Sequence, residues 1–272
     1  LIGPTAQLNA NSANMIVGFS GLGTLEARTG ASVFAGADLL IGYSAGGGGS
    51  FATFDNATLT VTDDTRVGRI ESGALNIQNG ATFLSNGFVT IGEGGGSGTL
   101  TVSGASSNWT LGADTYVGTG GIGQITLSDG AAVLGNHSNL YLGSHDSLGL
   151  GTLIIDNAGW TDAGEITLGA DVGASGTLTL SSGGTLSSSD YLFIGDLGDG
   201  TTLVTGAGSQ LTTDLGVYLG NSDGGTGLLT IADGGEVSTS DVYVGAQQDT
   251  VGTVNVSGAD SIHVPLFLLI VI

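Results

Sequence analysis

Apolar and polar positions alternate along short stretches of this chain. Gly98-Thr-Leu-Thr-Val102 and Gly123-Gln-Ile-Thr-Leu127 place aliphatic side chains at every second position, with Thr or Gln between them. That two-residue period belongs to a strand with one buried face. The same alternation gives inward pairs Leu100/Val102, Ile125/Leu127, Leu153/Ile155, Leu178/Leu180, Leu229/Ile231 and Val254/Val256. No stretch of useful length carries a helical period.

The strands recur on a fixed beat. An aliphatic residue followed by glycine appears at Gly18, Gly42, Gly68, Gly92, Gly118, Gly143, Gly169, Gly195, Gly220 and Gly245, at intervals of 24 to 26 residues. Each unit has an apolar segment before this anchor glycine and a second one after a glycine-rich turn. A third ends on one large side chain, in the column Val33, Leu59, Phe83, Trp109, Val133, Trp160, Leu186, Leu211, Val237 and Ile262. Three short strands per unit predict one coil of a parallel β-helix, since a lone coil cannot cover its inner face and its neighbours must. The expected molecule is all-β: about ten coils of ~25 residues, rising ~48 Å. Residues 14–262 form the repeats, 1–13 a partial coil or cap, and 263–272 an apolar cap or tail.

Composition narrows the choice. Glycine occurs 53 times and proline twice, which excludes collagen. A 40% hydrophobic content is enough to bury a core. Twenty-four acids face three bases, Arg28, Arg66 and Arg69, and lysine is absent. A net charge of −21 argues against nucleic-acid binding and against anionic lipid. No cysteine is present, so disulfides and thiolate metal sites are excluded. The run Pro265 to Ile272 is too short for a spanning helix, so no membrane insertion by this segment is expected.

Three motifs invite a catalytic reading. Gly118-Thr-Gly-Gly-Ile-Gly123 fits a dinucleotide loop, but the next residues, Gln124 to Leu127, read as a strand where that loop needs a helix. Gly42-Tyr-Ser-Ala-Gly46 fits an esterase elbow and fails the same test. Asp63-Asp64 and Asp196/Asp199 are the nearest carboxylate pairs for glycoside hydrolysis, although Asp in turns usually serves Asx hydrogen bonds. His137 and His145 flank one anchor without the further ligands a metal needs. The chain is expected not to be an enzyme.

Two columns remain. Four residues before the anchor stand Asp38, Asp64, Asp114, Glu165 and Asp241, with Asn14 and Asn139 in register. Calcium is the ion such a row would bridge, and turn capping is the plainer role. Two before the anchor the column reads Ile16, Leu40, Arg66, Thr90, Tyr116, Tyr141, Thr167, Phe193, Tyr218 and Tyr243. Its aromatics predict an outward stripe fit to hold sugar rings or a partner protein, or simply to brace neighbouring strands.

The phrases Gly98-Thr-Leu-Thr-Val-Ser-Gly-Ala-Ser-Ser-Asn-Trp109 and Gly123-Gln-Ile-Thr-Leu-Ser-Asp-Gly-Ala-Ala-Val133 resemble the type V secretion and PEP-CTERM-associated repeats of bacterial surface proteins. The resemblance covers about residues 14 to 262. It implies a right-handed β-helix carried outside the cell as an autotransporter-type passenger, without catalytic residues in the repeat. The expected function is that of a surface-exposed or secreted structural, adhesin-like rod, with a host or matrix glycan or a surface protein as partner. A head-to-tail solenoid filament and a polysaccharide-active β-helix enzyme are the alternatives.

Overall fold

The computed structural model describes residues 1–46, 48–144 and 148–270, with side chains described as far as 261. Thirty strands and no helix occur among the described residues. They stack as a parallel β-solenoid of about ten turns, ~25 residues per turn. One coil shows the plan: Ser97–Ser103, then Asn108–Leu111, then Thr115–Thr119, after which Ile122–Ser128 begins the next. Each strand pairs with its equivalents one coil before and one coil after. Ser97–Ser103 matches Ser72–Gln78 below and Ile122–Ser128 above, residue for residue. The result is three long ladders, named here the threonine ladder, the tryptophan ladder and the anchor ladder.

The alternation in the sequence becomes alternation across the wall. Leu100, Val102, Ile125, Leu127, Leu153 and Ile155 are fully buried, while Thr101 and Thr126 face outward. In the tryptophan ladder Val33, Leu59, Phe83, Trp109, Val133, Trp160, Leu186, Leu211 and Val237 lie over one another. Trp109 stacks on Phe83 with ring centroids 5.6 Å apart, and meets Trp160 edge-on at 5.5 Å across the smaller Val133. The Trp109 indole N–H donates to Ser85 Oγ at 2.9 Å, whereas the buried Trp160 indole has no partner among the described residues.

Two expectations shift at the C-terminal end. Val256 is 51% exposed, because strand Val251–Ser257 is the last of its ladder and no further coil covers it. Ile262 pairs with Glu236, so His263 rather than Ile262 stands in register with Val237. The backbone from Ile262 to Ile270 runs as one strand along Glu236–Val244.

The corner between the threonine and tryptophan ladders is built in two alternating ways. In one, two successive residues adopt positive φ, as in Asn79-Gly80 (55° and 85°), Asp129-Gly130, Ser182-Gly183 and Asp233-Gly234. The following N–H closes the turn, for example Ala81 to Gln78 O at 3.2 Å. This is the mirror-image turn that Asn-Gly and Asp-Gly favour. The coils between carry a different corner. Gly104-Ala-Ser-Ser107, Gly206-Ala-Gly-Ser209 and Gly258-Ala-Asp-Ser261 end on a serine whose hydroxyl donates back four residues at 2.7 Å. That same oxygen accepts the glycine N–H of the turn below, from Gly80, Gly183 and Gly234. At Asn56 and Asn157 a shorter corner offers a backbone carbonyl to Gly30 and Gly130 in the same way.

Glycine fills the third corner for a steric reason. Gly118 has φ of +74°, which a side chain disfavours. Gly123, on the next strand, is not left-handed. A Cβ there would lie 2.1 Å from Ile91 O and 2.4 Å from Gly118 N. The two glycines let backbone pack directly on backbone. That close packing accounts for the glycine pattern that imitates a nucleotide loop, and the chain leaves the corner as strand Ile122–Ser128, without a helix.

Candidate binding face

The anchor ladder carries the columns of interest. Ile16, Leu40, Arg66, Thr90, Tyr116, Tyr141, Thr167, Phe193, Tyr218 and Tyr243 stand in unbroken register. Strand alternation turns them outward, and the spacing of parallel strands brings their rings together. Tyr116 and Tyr141 stack at 5.0 Å, and Tyr218 and Tyr243 at 4.4 Å. Phe193 joins the second group at 5.3 Å from Tyr218. The aromatic rings are half-buried, since each covers part of its neighbour. Two aromatics from the column four before the anchor lean onto this stripe. Phe88 meets Tyr116 edge-on at 6.0 Å, and Tyr191 meets Tyr218 edge-on at 5.6 Å.

Burial is the main reason the Tyr116, Tyr141 and Tyr218 hydroxyls ionise above the usual tyrosine range. Asp114 adds to the effect at Tyr116, and the Asn139 amide opposes it at Tyr141. The hydroxyls stay neutral near pH 7, so they can donate hydrogen bonds as well as offer ring faces.

The acidic column is a ladder of caps with interruptions. Asp38 Oδ1 accepts the Asp64 N–H at 3.2 Å, and Asp64 Oδ1 accepts that of Phe88 at 3.0 Å. Asp114 Oδ1 accepts from Asn139, and Asn139 Oδ1 from Glu165, both at 2.9 Å. Asn14 caps Asp38 likewise. Only Asp38 and Asp64 are adjacent acids. Phe88, Asn139, Tyr191 and Gly216 separate Asp114, Glu165 and Asp241 from one another and from that pair. Asp38, Asp63 and Asp64 each place an oxygen within 4.8 Å of the others. Arg66 already binds two of them, through Asp64 Oδ2 at 2.7 Å and Asp38 Oδ2 at 3.4 Å. A calcium ion, which wants six to eight oxygens, would have to share that space with a guanidinium.

Among the described acids, Glu165 stands out by a clearly raised pKa. Burial raises its pKa first; a hydrogen bond from Thr167 Oγ1 at 3.1 Å works against this, and Asp190, Asp196 and Asp114 raise it further. Its neighbour across the coil boundary, Asp196, is held by Asn221 and Ser222, each 2.8 Å from Oδ1.

A second cluster escapes sequence reasoning. His137, paired above with His145, instead meets Asp162 Oδ1 at 3.0 Å and Ser189 Oγ at 2.9 Å. His145 lies outside the described residues. The grouping has the membership of a hydrolase triad but not its wiring. Both contacts fall on Nδ1, whereas a triad uses one ring nitrogen for the acid and the other for the serine. Ser189 Oγ also donates to Ala163 O at 3.1 Å, so in this arrangement its proton is directed at a backbone carbonyl and not at the histidine. Ser44 sits between the anchor strand Leu39–Ile41 and strand Ser50–Asp55, without the helix an elbow requires.

No family model matches this chain, and no curated protein or solved structure matches it. The functional reading therefore rests on the face itself. Its chemistry is planar aromatic surface beside hydrogen-bonding hydroxyls and carboxylates, mounted on a rigid wall.

Proposed function

We propose that this chain is a non-catalytic binding rod, the display segment of a secreted or surface-borne bacterial protein of the adhesin-like, passenger type. The observation that carries the proposal is the aromatic column. Its rings are repeated in register along one ladder and exposed along their edges, where a solenoid needs no aromatic residue for its own closure. Aromatic surface of this kind suits sugar rings or a partner's side chains. A solenoid suits display because each coil is braced by both neighbours, so side chains keep their spacing over tens of ångströms. The −21 charge keeps such a rod soluble and biases it against anionic partners.

The test is a screen of the purified chain on glycan and surface-protein arrays. Tyr116→Ala, Tyr141→Ala and Tyr218→Ala should each reduce the signal of a true ligand while leaving the far-UV circular dichroism unchanged. Retention of every array signal in the triple variant would refute the aromatic face as the binding surface. Reducing-sugar release from polysaccharides by the wild type would refute the non-catalytic assignment.

A further inference from the structure

The solenoid repeats itself on a scale longer than one coil through most of its length, and one position on the binding face departs from that repeat. The short Asn corner recurs four coils apart, at Asn56 and Asn157, and the Gly-Ala-x-Ser corner does so at Gly104 and Gly206, until Gly258 repeats it after only two coils. The binding face shares this longer period. Around Arg66 stand Asp64 in the same coil, Glu93 after the next anchor, and Phe88 leaning onto Tyr116. Four coils on, around Thr167, stand Glu165 in the same coil, Asp196 after the next anchor, and Tyr191 leaning onto Tyr218. Two acids and a leaning aromatic recur at both positions, whereas Asp38, which also binds Arg66, has Asn139 as its counterpart, and Leu40 and Thr90 on either side of Arg66 have Tyr141 and Phe193 as theirs. The guanidinium does not recur: Thr167 occupies the place of Arg66.

A groove of 240 Å³ runs beside Arg66, and at Thr167, with no guanidinium, an open groove of 360 Å³ is lined by Tyr141, Ser144, Glu165, Thr167, Asp171 and Asp196 among others. Thr167, only 3% exposed, forms the floor of this groove, with Tyr141 in register below it and Phe193 above. Ser144 is 4% exposed, and its hydroxyl has no hydrogen-bond partner among the described residues. An unpartnered buried hydroxyl costs free energy unless a guest satisfies it. Asp196 keeps Oδ2 outside its contacts with Asn221 and Ser222. No residue of this chain after Arg69 is Arg or Lys, so the frame has no cation of its own to draw on.

We propose that the groove over Thr167 is a receptor for a guanidinium group, the side chain of an arginine presented by a basic segment of a partner protein. In the Arg66 frame a planar fork reaches an acid in its own coil and an acid in the next, a geometry that guanidinium matches and a point charge does not. The ring of Tyr141 supplies the platform. Elsewhere in this chain Arg69 already lies over Tyr43, its Cζ 4.7 Å from the ring centroid. Ser144 Oγ accepts a further N–H, and the acidic rod steers basic segments toward it.

The site lies on the face assigned above and draws its biological meaning from that reading, but its test needs only the purified chain. An acetylated, amidated Gly-Arg-Gly peptide is titrated by calorimetry at low salt, beside its citrulline and lysine counterparts. The arginine peptide should bind, and the citrulline peptide, neutral and nearly isosteric, at least about tenfold more weakly. Glu165→Gln and Asp196→Asn should each weaken arginine binding by about tenfold. Thr167→Arg should abolish it by filling the groove from within, with an unchanged circular dichroism spectrum. Equal binding of the citrulline or lysine peptide, indifference to Glu165→Gln, or no arginine binding at millimolar peptide would overturn the assignment. Gln124→Ala, on the exposed side of the threonine ladder, should leave the arginine titration intact. A failed array screen with a successful titration would then fault only the broader reading of the face.

Discussion

Replacing Gly123 with alanine tests the packing on which the solenoid depends. The new methyl would sit 2.1 Å from Ile91 O and 2.4 Å from Gly118 N. Ordinary contacts there are more than an ångström longer, and both neighbours are backbone atoms held in ladders. Neither can rotate aside, so strand Ile122–Ser128 must move off the anchor corner and lose ladder hydrogen bonds. Overpacking of this kind costs about 3 kcal/mol. Gly183→Ala is the matched control. Gly183 has φ of +86°, but a Cβ there meets nothing within 4 Å. Its cost is conformational alone, about 1–2 kcal/mol. Guanidinium unfolding of both variants, followed by circular dichroism, should separate them by roughly 0.2–0.4 M in midpoint, given an m-value of about 5 kcal/mol/M. A Gly123→Ala midpoint equal to or above that of Gly183→Ala would refute the backbone-on-backbone account.

Three more outcomes are expected from the core and the face. Trp109→Phe should cost about 1 kcal/mol more than Trp160→Phe, because only the former loses an indole hydrogen bond, to Ser85, while the latter removes an unpartnered buried N–H; equal denaturation midpoints would contradict this. Ser209→Ala should destabilise by about 1–3 kcal/mol, since one buried hydroxyl both donates to Thr205 O and accepts from Gly183 N–H; thermal melts check it. Glu165 gives a pH signature. Its folded pKa is raised by burial and then by Asp190, Asp196 and Asp114, so its contribution to stability is full below the ordinary Glu value and is lost as pH rises through the raised one. Glu165→Gln should therefore melt higher than wild type at pH 7, and the advantage should shrink below about pH 4; an advantage independent of pH would reject the mechanism.

The periodic parts of this molecule were readable because one coil dictates the next. Anchor glycines, inward aliphatic pairs and the aromatic column all come from counting, and register carries each column through the stack. Counting failed where local geometry departs from the beat. A register irregularity between Trp160 and Ala163, with Asp162 at φ of +59°, brings Asp162 to His137 and Ser189 over sequence separations that no motif marks. Val256 obeys the inward alternation but lies exposed on the last strand of its ladder, because burial in a solenoid is supplied by the neighbour and not by the strand. The partnership of Arg66 with Glu93 was hidden for a related reason. It joins two different columns from two different coils, so reading either column alone conceals it. The same holds for Ser144 and Asp196 around Thr167.

The alternation of corner types sets how this rod can change length. Excising a single serine or asparagine coil would bring two glycine turns together, leaving a glycine N–H facing another glycine turn where a serine hydroxyl or asparagine carbonyl should stand. Excising two would restore every such match. Growth and shrinkage by duplication should therefore proceed in even steps, and a designer splicing longer or shorter versions should treat a pair of coils as the brick.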